Sequence, residues 1–122
     1  MGNPERPVVA VLGDGCTMFG LQGLWSAARY QVPVTFVVMN NGEYRTLKET
    51  LDRWESRATA MGHYPGLDLA PPHLDFTKAA DFFGISATRV RDTAHLTDAL
   101  GRAIASDAPS LVEVLVTGHR PH

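Results

Sequence analysis

Apolar residues fall along the chain in short unbroken runs, separated by segments with helical spacing. Residues 8–12 read Val-Val-Ala-Val-Leu between Pro7 and Gly13, and residues 34–39 read Val-Thr-Phe-Val-Val-Met. Residues 111–116 read Leu-Val-Glu-Val-Leu-Val, with Pro109 before and Gly118 after. Continuous rather than alternating hydrophobicity predicts strands covered on both faces, as in a parallel sheet. Residues 87–90, Ala-Thr-Arg-Val, are shorter and more polar and predict a weaker strand at a sheet edge.

Helical patterns lie between these runs. Thr17 can cap a helix whose stripe carries Leu21, Leu24, Trp25 and Ala28, while Gly20 and Gly23 on it predict close packing. Residues 44–55 place Leu47, Leu51 and Trp54 four and three apart, and both tryptophans read as core. Asp75 is the expected cap of a helix over 76–83 that stops at Gly84. Thr93 or Thr97 would cap the last helix, with Leu96, Leu100 and Ile104 on its stripe. Residues 56–74, with Pro65, Pro71, Pro72, Gly62 and Gly66, read as one long irregular loop. Loops of that length in a compact domain are usually functional. The alternation predicts an α/β fold: a parallel sheet, helices on both faces, right-handed crossovers. Ligands in such sheets sit outside the carboxyl ends of the strands.

The text at two of those ends carries chemistry. After the first strand comes Gly13-Asp14-Gly15-Cys16-Thr17, then a helix. Two glycines let the backbone turn and bring N–H groups close to a ligand, and a helix start favours an anion. An aspartate among such donors would repel a bare phosphate unless a cation lies between them. Mg²⁺ suits that place, since one or two carboxylates plus phosphate oxygens usually hold it. After the second strand comes Asn40-Asn41-Gly42-Glu43-Tyr44, where an Asn oxygen and a free carbonyl are hard, neutral ligands for the same ion. Met18 occupies the third glycine position of a dinucleotide fingerprint, so that motif fails. Leu21-Gln22 stands where a Walker A motif needs Lys-Ser/Thr, so that fails too. Asn41-Gly42 could turn a hairpin, but the residues after it have helical periodicity. A lone Gly-Asp-Gly is more often a plain turn; the pairing of both loops, each at a strand end, is what points to a site.

Composition narrows the setting. The chain has 122 residues, 11 Lys plus Arg against 13 Asp plus Glu, and a formal charge of −2, which leaves no electrostatic footprint for nucleic acid or an anionic membrane. Cys16 is the one cysteine, so no intrachain disulfide can form and an oxidising compartment is not indicated. No apolar run is long enough to span a bilayer, and residues 1–7 carry no signal-peptide stretch. Arg6 stands where a myristoylation signal needs Ser or Thr. A soluble cytoplasmic domain is the expectation. Of the five histidines, His63 and His73 fall in the long loop, His95 beside a helix cap, and His119 and His122 in a Pro-containing tail; none is expected to hold a metal. Glu49, Asp52, Arg53, Glu55 and Arg57 read as a solvated helix face.

Gly13-Asp14-Gly15 and Asn40-Asn41 enclose 24 residues, and this spaced pair resembles the signature of the thiamine-diphosphate enzymes. Residues 24–33 (Leu-Trp-Ser-Ala-Ala-Arg-Tyr-Gln-Val-Pro) and Asn40-Asn41-Gly42-Glu43-Tyr44 look most like the benzoylformate decarboxylase branch. The similarity continues more weakly through Pro65-Gly66-Leu67-Asp68, Asp75-Phe76 and residues 111–114. The resemblance implies a C-terminal, diphosphate-binding domain. Asp14, the Asn41 side chain and the Glu43 carbonyl would be Mg²⁺ ligands, and Gly13, Gly15, Cys16, Thr17 and Tyr44 would complete the cofactor site. Thr46 and Leu47 would approach a 2-keto acid substrate, which the cofactor decarboxylates or joins to a second molecule. Three positions depart from the family: Cys16 is a weak donor, Phe19 offers no hydroxyl, and Glu43 puts a carboxylate beside the ligand set. No catalytic residue is expected in the chain, because the family's proton-relay glutamate belongs to a pyrimidine-binding domain of the same or a neighbouring subunit. The resemblance also implies a homo-oligomer, and a single domain over 1–122 that begins part-way through the family's own. A piece of that kind would expose apolar surface and self-associate. Two readings stay open beside it: a non-catalytic remnant that packs on a partner, and an unrelated Mg²⁺-dependent phosphohydrolase using Asp14.

Overall fold

The computed structural model describes residues 5–117, so His119 and His122 lie outside the described residues. The chain runs β1 Val8–Gly13, α1 Asp14–Phe19, α2 Gln22–Tyr30, β2 Val34–Asn40, α3 Arg45–Arg53, α4 Arg57–Met61, α5 Phe76–Phe82, β3 Ser86–Val90, α6 Thr93–Ala105 and β4 Ser110–Leu115. The four strands pair in the order β1-β2-β4-β3, all parallel. Successive residues of β2 and β4 point to opposite faces, and each face has its own core. On one side Leu24 of α2 and Phe76 and Ala80 of α5 pack on Val38 and Leu111. On the other, Ala99 of α6 packs on Val37, Val90, Val112 and Val114. The expected parallel α/β sheet with helices on both faces is therefore the fold. No helix among the described residues is long and apolar enough to cross a membrane.

Several local expectations need correction. The first helix starts at Asp14, not at a Thr17 cap: Gly13 is its extended N-cap, and the Thr17 hydroxyl donates back to the Gly13 carbonyl at 2.8 Å. This helix ends at Gly20, and a new one begins at Gln22, because Gly20 gives no side chain to hold the turn. The last helix is capped by Asp92, whose carboxylate accepts from the His95 N–H at 2.9 Å. A short helix, α4, capped by Ser56, interrupts the long loop. Asp75 caps α5 as expected, accepting from the Thr77 and Lys78 N–H groups, and Gly84 follows the helix at φ +74°. The bond from the Thr77 hydroxyl holds the Asp75 carboxyl below its ordinary value.

Burial also departs from the pattern. β3 is a sheet edge, as its polarity predicts, but β1 is the other edge. Val11 pairs with Val37 on the α6 face yet stays 66% exposed, so β1 is not covered on both sides. Trp25 is half exposed and Trp54 is 75% exposed, and α3 buries no residue at all. Ile104 is exposed as well, while Leu96 and Leu100 pack on the core.

The central strand β4 buries Ser110 to Val114, including Glu113 at 0% exposure. Its carboxylate accepts from Asn40 Nδ2 at 2.7 Å and from Arg89 Nε at 2.7 Å, and Arg89 also reaches Asp75 at 2.6 Å. Three strands and the start of α5 thus meet on one buried charge, just beneath the loop that follows β2.

Candidate functional site

β1 and β2 are neighbours, with Gly13 level with Met39, so their carboxyl-end loops emerge side by side. Asp14 links them. It is 4% exposed, and its Oδ2 accepts from the N–H groups of Asn41 at 3.1 Å and Gly42 at 2.7 Å. Its Oδ1 accepts from the Gly15 N–H at 2.8 Å. Charge-assisted bonds of this kind are roughly twice as strong as neutral ones. A carboxylate offers about four lone-pair positions. Three are taken here, which leaves one for a cation.

The second loop supplies neutral oxygens. Asn41 Oδ1 accepts from the Glu43 N–H at 3.0 Å, closing a tight turn. The bonds that tie this loop to residues 67–70 use the Gly42 carbonyl and the Tyr44 N–H, and leave the Glu43 carbonyl outside them. Among the described residues no three His, Cys, Asp or Glu side chains cluster as a metal site. One carboxylate, one amide oxygen and one carbonyl on the same cleft would make a different donor set, hard and singly charged, of the kind that suits Mg²⁺ with phosphate oxygens and water. The residues present fit such an ion.

A cleft of about 430 Å³ opens beside them, lined by Gly13, Asp14, Gly15, Cys16, Asn41, Glu43, Tyr44, Thr46 and Leu47 among others. Of the residues singled out from sequence, only Thr17 is absent from that lining; it is buried and bonded to Gly13. No side chain caps the α1 start. The Cys16 thiol is exposed. Gly15 is required by its neighbour: a Cβ there would lie 2.3 Å from Tyr44 Cε1. Gly15→Ala is expected to cost about 1–3 kcal/mol in urea unfolding, by forcing the ring aside. In a Tyr44→Ala background the same change should cost little, since alanine suits a helix better than glycine. Equal losses in both backgrounds would exclude the ring as the cause.

Other residues at the site carry no local signal in the sequence. Lys48 bonds both Glu43 and Asp68, and its ammonium stands 5.7 Å from the centre of the Tyr64 ring. Burial pulls its pKa down, but the bonds to Asp68 and Glu43 more than offset this and hold it above the ordinary 10.5. Asp52 is exposed, as expected of a solvated face, and also accepts from Tyr64 Oη at 2.5 Å and Thr59 Oγ1 at 3.1 Å, which ties the long loop to α3. His63 and His73 are exposed, and His95 pairs with its cap Asp92 at 2.8 Å. Asn40, next to the proposed ligand Asn41, is a structural residue between Glu113 and the Leu74 carbonyl.

One family of known proteins matches most of this chain. The family model described as "Thiamine pyrophosphate enzyme, C-terminal TPP binding domain" matches residues 1–114; thiamine pyrophosphate is another name for thiamine diphosphate. The chain is 38% identical over 114 residues to benzoylformate decarboxylase of Pseudomonas aeruginosa, covering 93% of this chain and 20% of that protein. It is 39% identical over 119 residues to a putative acetolactate synthase large subunit, IlvX, of Mycobacterium tuberculosis, covering 93% of this chain and 22% of the relative. The thiamine diphosphate-dependent 4-hydroxybenzoylformate decarboxylase of Rhodococcus jostii superimposes with a TM-score of 0.84 at 36% identity, over 94% of this chain and 20% of that one. Benzoylformate decarboxylase of Polynucleobacter necessarius gives the same TM-score at 29% identity, over 96% and 21%. The chain thus spans about a fifth of the length of these relatives. With its matched residues, sheet and strand-end loops, it belongs to the thiamine pyrophosphate enzymes, as their C-terminal TPP-binding domain.

Proposed function

We propose that the Asp14 cleft binds thiamine diphosphate through Mg²⁺, as part of a 2-keto acid decarboxylase of the benzoylformate decarboxylase type or a related carboligase. The observation that supports this most is Asp14 itself, a buried carboxylate held by both strand-end loops with one lone pair unclaimed. Asp14, the Asn41 side-chain oxygen and the Glu43 carbonyl would hold the metal. Gly13, Gly15, Cys16 and Tyr44 would shape the diphosphate seat, and Thr46 and Leu47 would face the substrate end of the same cleft. When bound, the cofactor supplies nucleophilic addition to the keto group and an electron sink for loss of the carboxylate. The chain's own share is to anchor the metal and orient the diphosphate; the proton-relay glutamate would come from a pyrimidine-binding domain of the same or a neighbouring subunit. The exposed Val9, Val11, Phe19 and Trp25 give such a partner, or a second copy in a homo-oligomer, apolar surface to cover. A cytoplasmic setting fits the exposed, unpaired Cys16 thiol. An unrelated phosphohydrolase is disfavoured, because the family model that matches residues 1–114 is that of the thiamine pyrophosphate enzymes.

Calorimetric titration of thiamine diphosphate into the protein at its native length tests the reading. Saturable binding is expected with Mg²⁺ present, weakened at least 100-fold when a chelator removes it. Equal affinity with and without the metal would rule out the bridging ion.

A further inference from the structure

Glu43 stands directly opposite Asp68 in an isolated antiparallel bridge. Like charges facing each other across paired backbone destabilise the pair. Lys48 resolves this conflict: its Nζ bonds the Glu43 carboxylate and the Asp68 carboxylate together. The Lys48 side chain is 12% exposed and that of Glu43 16%, so water screens this pair less than it does a surface pair, whereas the Asp68 side chain is 60% exposed. Around it, residues 67–70 strap the second loop through the main chain. Tyr44 N–H donates to the Leu67 carbonyl at 2.8 Å, and the Gly42 carbonyl accepts from Leu69 at 2.8 Å and Ala70 at 3.2 Å. Arg45 approaches the other Glu43 oxygen at 3.8 Å, but its nearer partner is Glu49 at 3.2 Å.

We infer that Lys48 is a positioning residue for the metal site: by neutralising the repulsion between the Glu43 and Asp68 carboxylates it lets Glu43 keep its place in the bridge, and with it the carbonyl that would bind Mg²⁺. It also keeps the Glu43 carboxylate engaged away from the donor set, so that Asp14 is the one carboxylate in it. This inference rests on the proposed metal site. It adds a cause for the departure at position 43, because a carboxylate beside a one-carboxylate site is tolerable only while a cation holds it elsewhere.

The test is the apparent Mg²⁺ affinity of the protein at its native length, measured by intrinsic fluorescence at a fixed, saturating level of thiamine diphosphate. Lys48→Met is expected to weaken Mg²⁺ binding about 10-fold, and Lys48→Arg to stay within about threefold of the parent. The double change Lys48→Met with Glu43→Gln removes the repulsion as well as the lysine, and should recover most of the lost affinity. A merely structural lysine would give a double variant no better than Lys48→Met, and that result overturns the inference. So does Lys48→Met binding within twofold of the parent. If Lys48→Met does not fold, the double variant decides: weak binding in a folded double variant counts against the role. Asp14→Asn in the same assay keeps the two readings apart, since unchanged Mg²⁺ affinity there removes the metal site itself.

Discussion

Glu113→Ala is expected to remove about 3–5 kcal/mol of stability, the cost of breaking a buried charge pair from one side. A domain of ordinary stability has only about 5–15 kcal/mol in total. The carboxylate is fully buried in the central strand and has three donors: Asn40 Nδ2 at 2.7 Å, Arg89 Nε at 2.7 Å and the Phe76 N–H at 3.4 Å. Glu113 also holds the guanidinium's pKa above its already high ordinary value, so Arg89 stays charged throughout. Alanine would leave Arg89 with Asp75 alone, leave Asn40 with only the Leu74 carbonyl, and open a cavity under α5. Glu113→Gln keeps the volume and an acceptor, so its loss should be smaller, about half. Urea unfolding followed by circular dichroism checks both, read from the midpoint at unchanged slope. An alanine variant within 1 kcal/mol of the parent would show that the network is not holding the sheet together.

That network marks where reading the chain by pattern stops. The apolar runs at 8–12, 34–39 and 111–116 became β1, β2 and β4, because an unbroken run of Val, Ile or Leu has few other ways to satisfy both faces and backbone. Yet the run at 8–12 tells only what a strand could bury. β1 is an edge with Val11 open, because nothing in those residues encodes what packs on them. Trp25 and Trp54 misled in the same way: their spacing fits an apolar stripe, but the surfaces that would cover them are not in the described residues. Glu113 was visible as one charge in an apolar run, but its partners Arg89 and Asn40 lie 24 and 73 positions away. The places of Asp14 and Asn41 at strand ends were legible because the motif is local, a few residues directly after an apolar run. That two such ends meet depends on β1 and β2 being adjacent, which only the sheet shows. Lys48 had no signal: it stands five residues from Glu43 and twenty from Asp68, a spacing no helical pattern selects.

Asp14 separates the fold from the cation most sharply. Asp14→Ala deletes the only carboxylate in the proposed donor set and frees the N–H groups of Gly15, Asn41 and Gly42 at once. Two losses should follow: at least 100-fold in affinity for thiamine diphosphate with Mg²⁺, equivalent to about 2.7 kcal/mol, and about 2–4 kcal/mol in the stability of the metal-free protein, for bonds to a charged acceptor worth about 1.5–3 kcal/mol each but not additive. The alanine variant alone cannot tell these apart, because a loosened loop binds nothing. Asp14→Asn can. Its amide oxygen still accepts from the Asn41 and Gly42 N–H groups, so the two loops stay joined, while the negative charge that faces the cation is gone. The asparagine variant should therefore unfold within about 1.5 kcal/mol of the parent in chelator, yet bind the Mg²⁺–cofactor pair at least 100-fold more weakly. Parent-like affinity in that variant would mean that Asp14 serves only to tie β1 to β2, and that whatever cation the cleft takes is held by other oxygens.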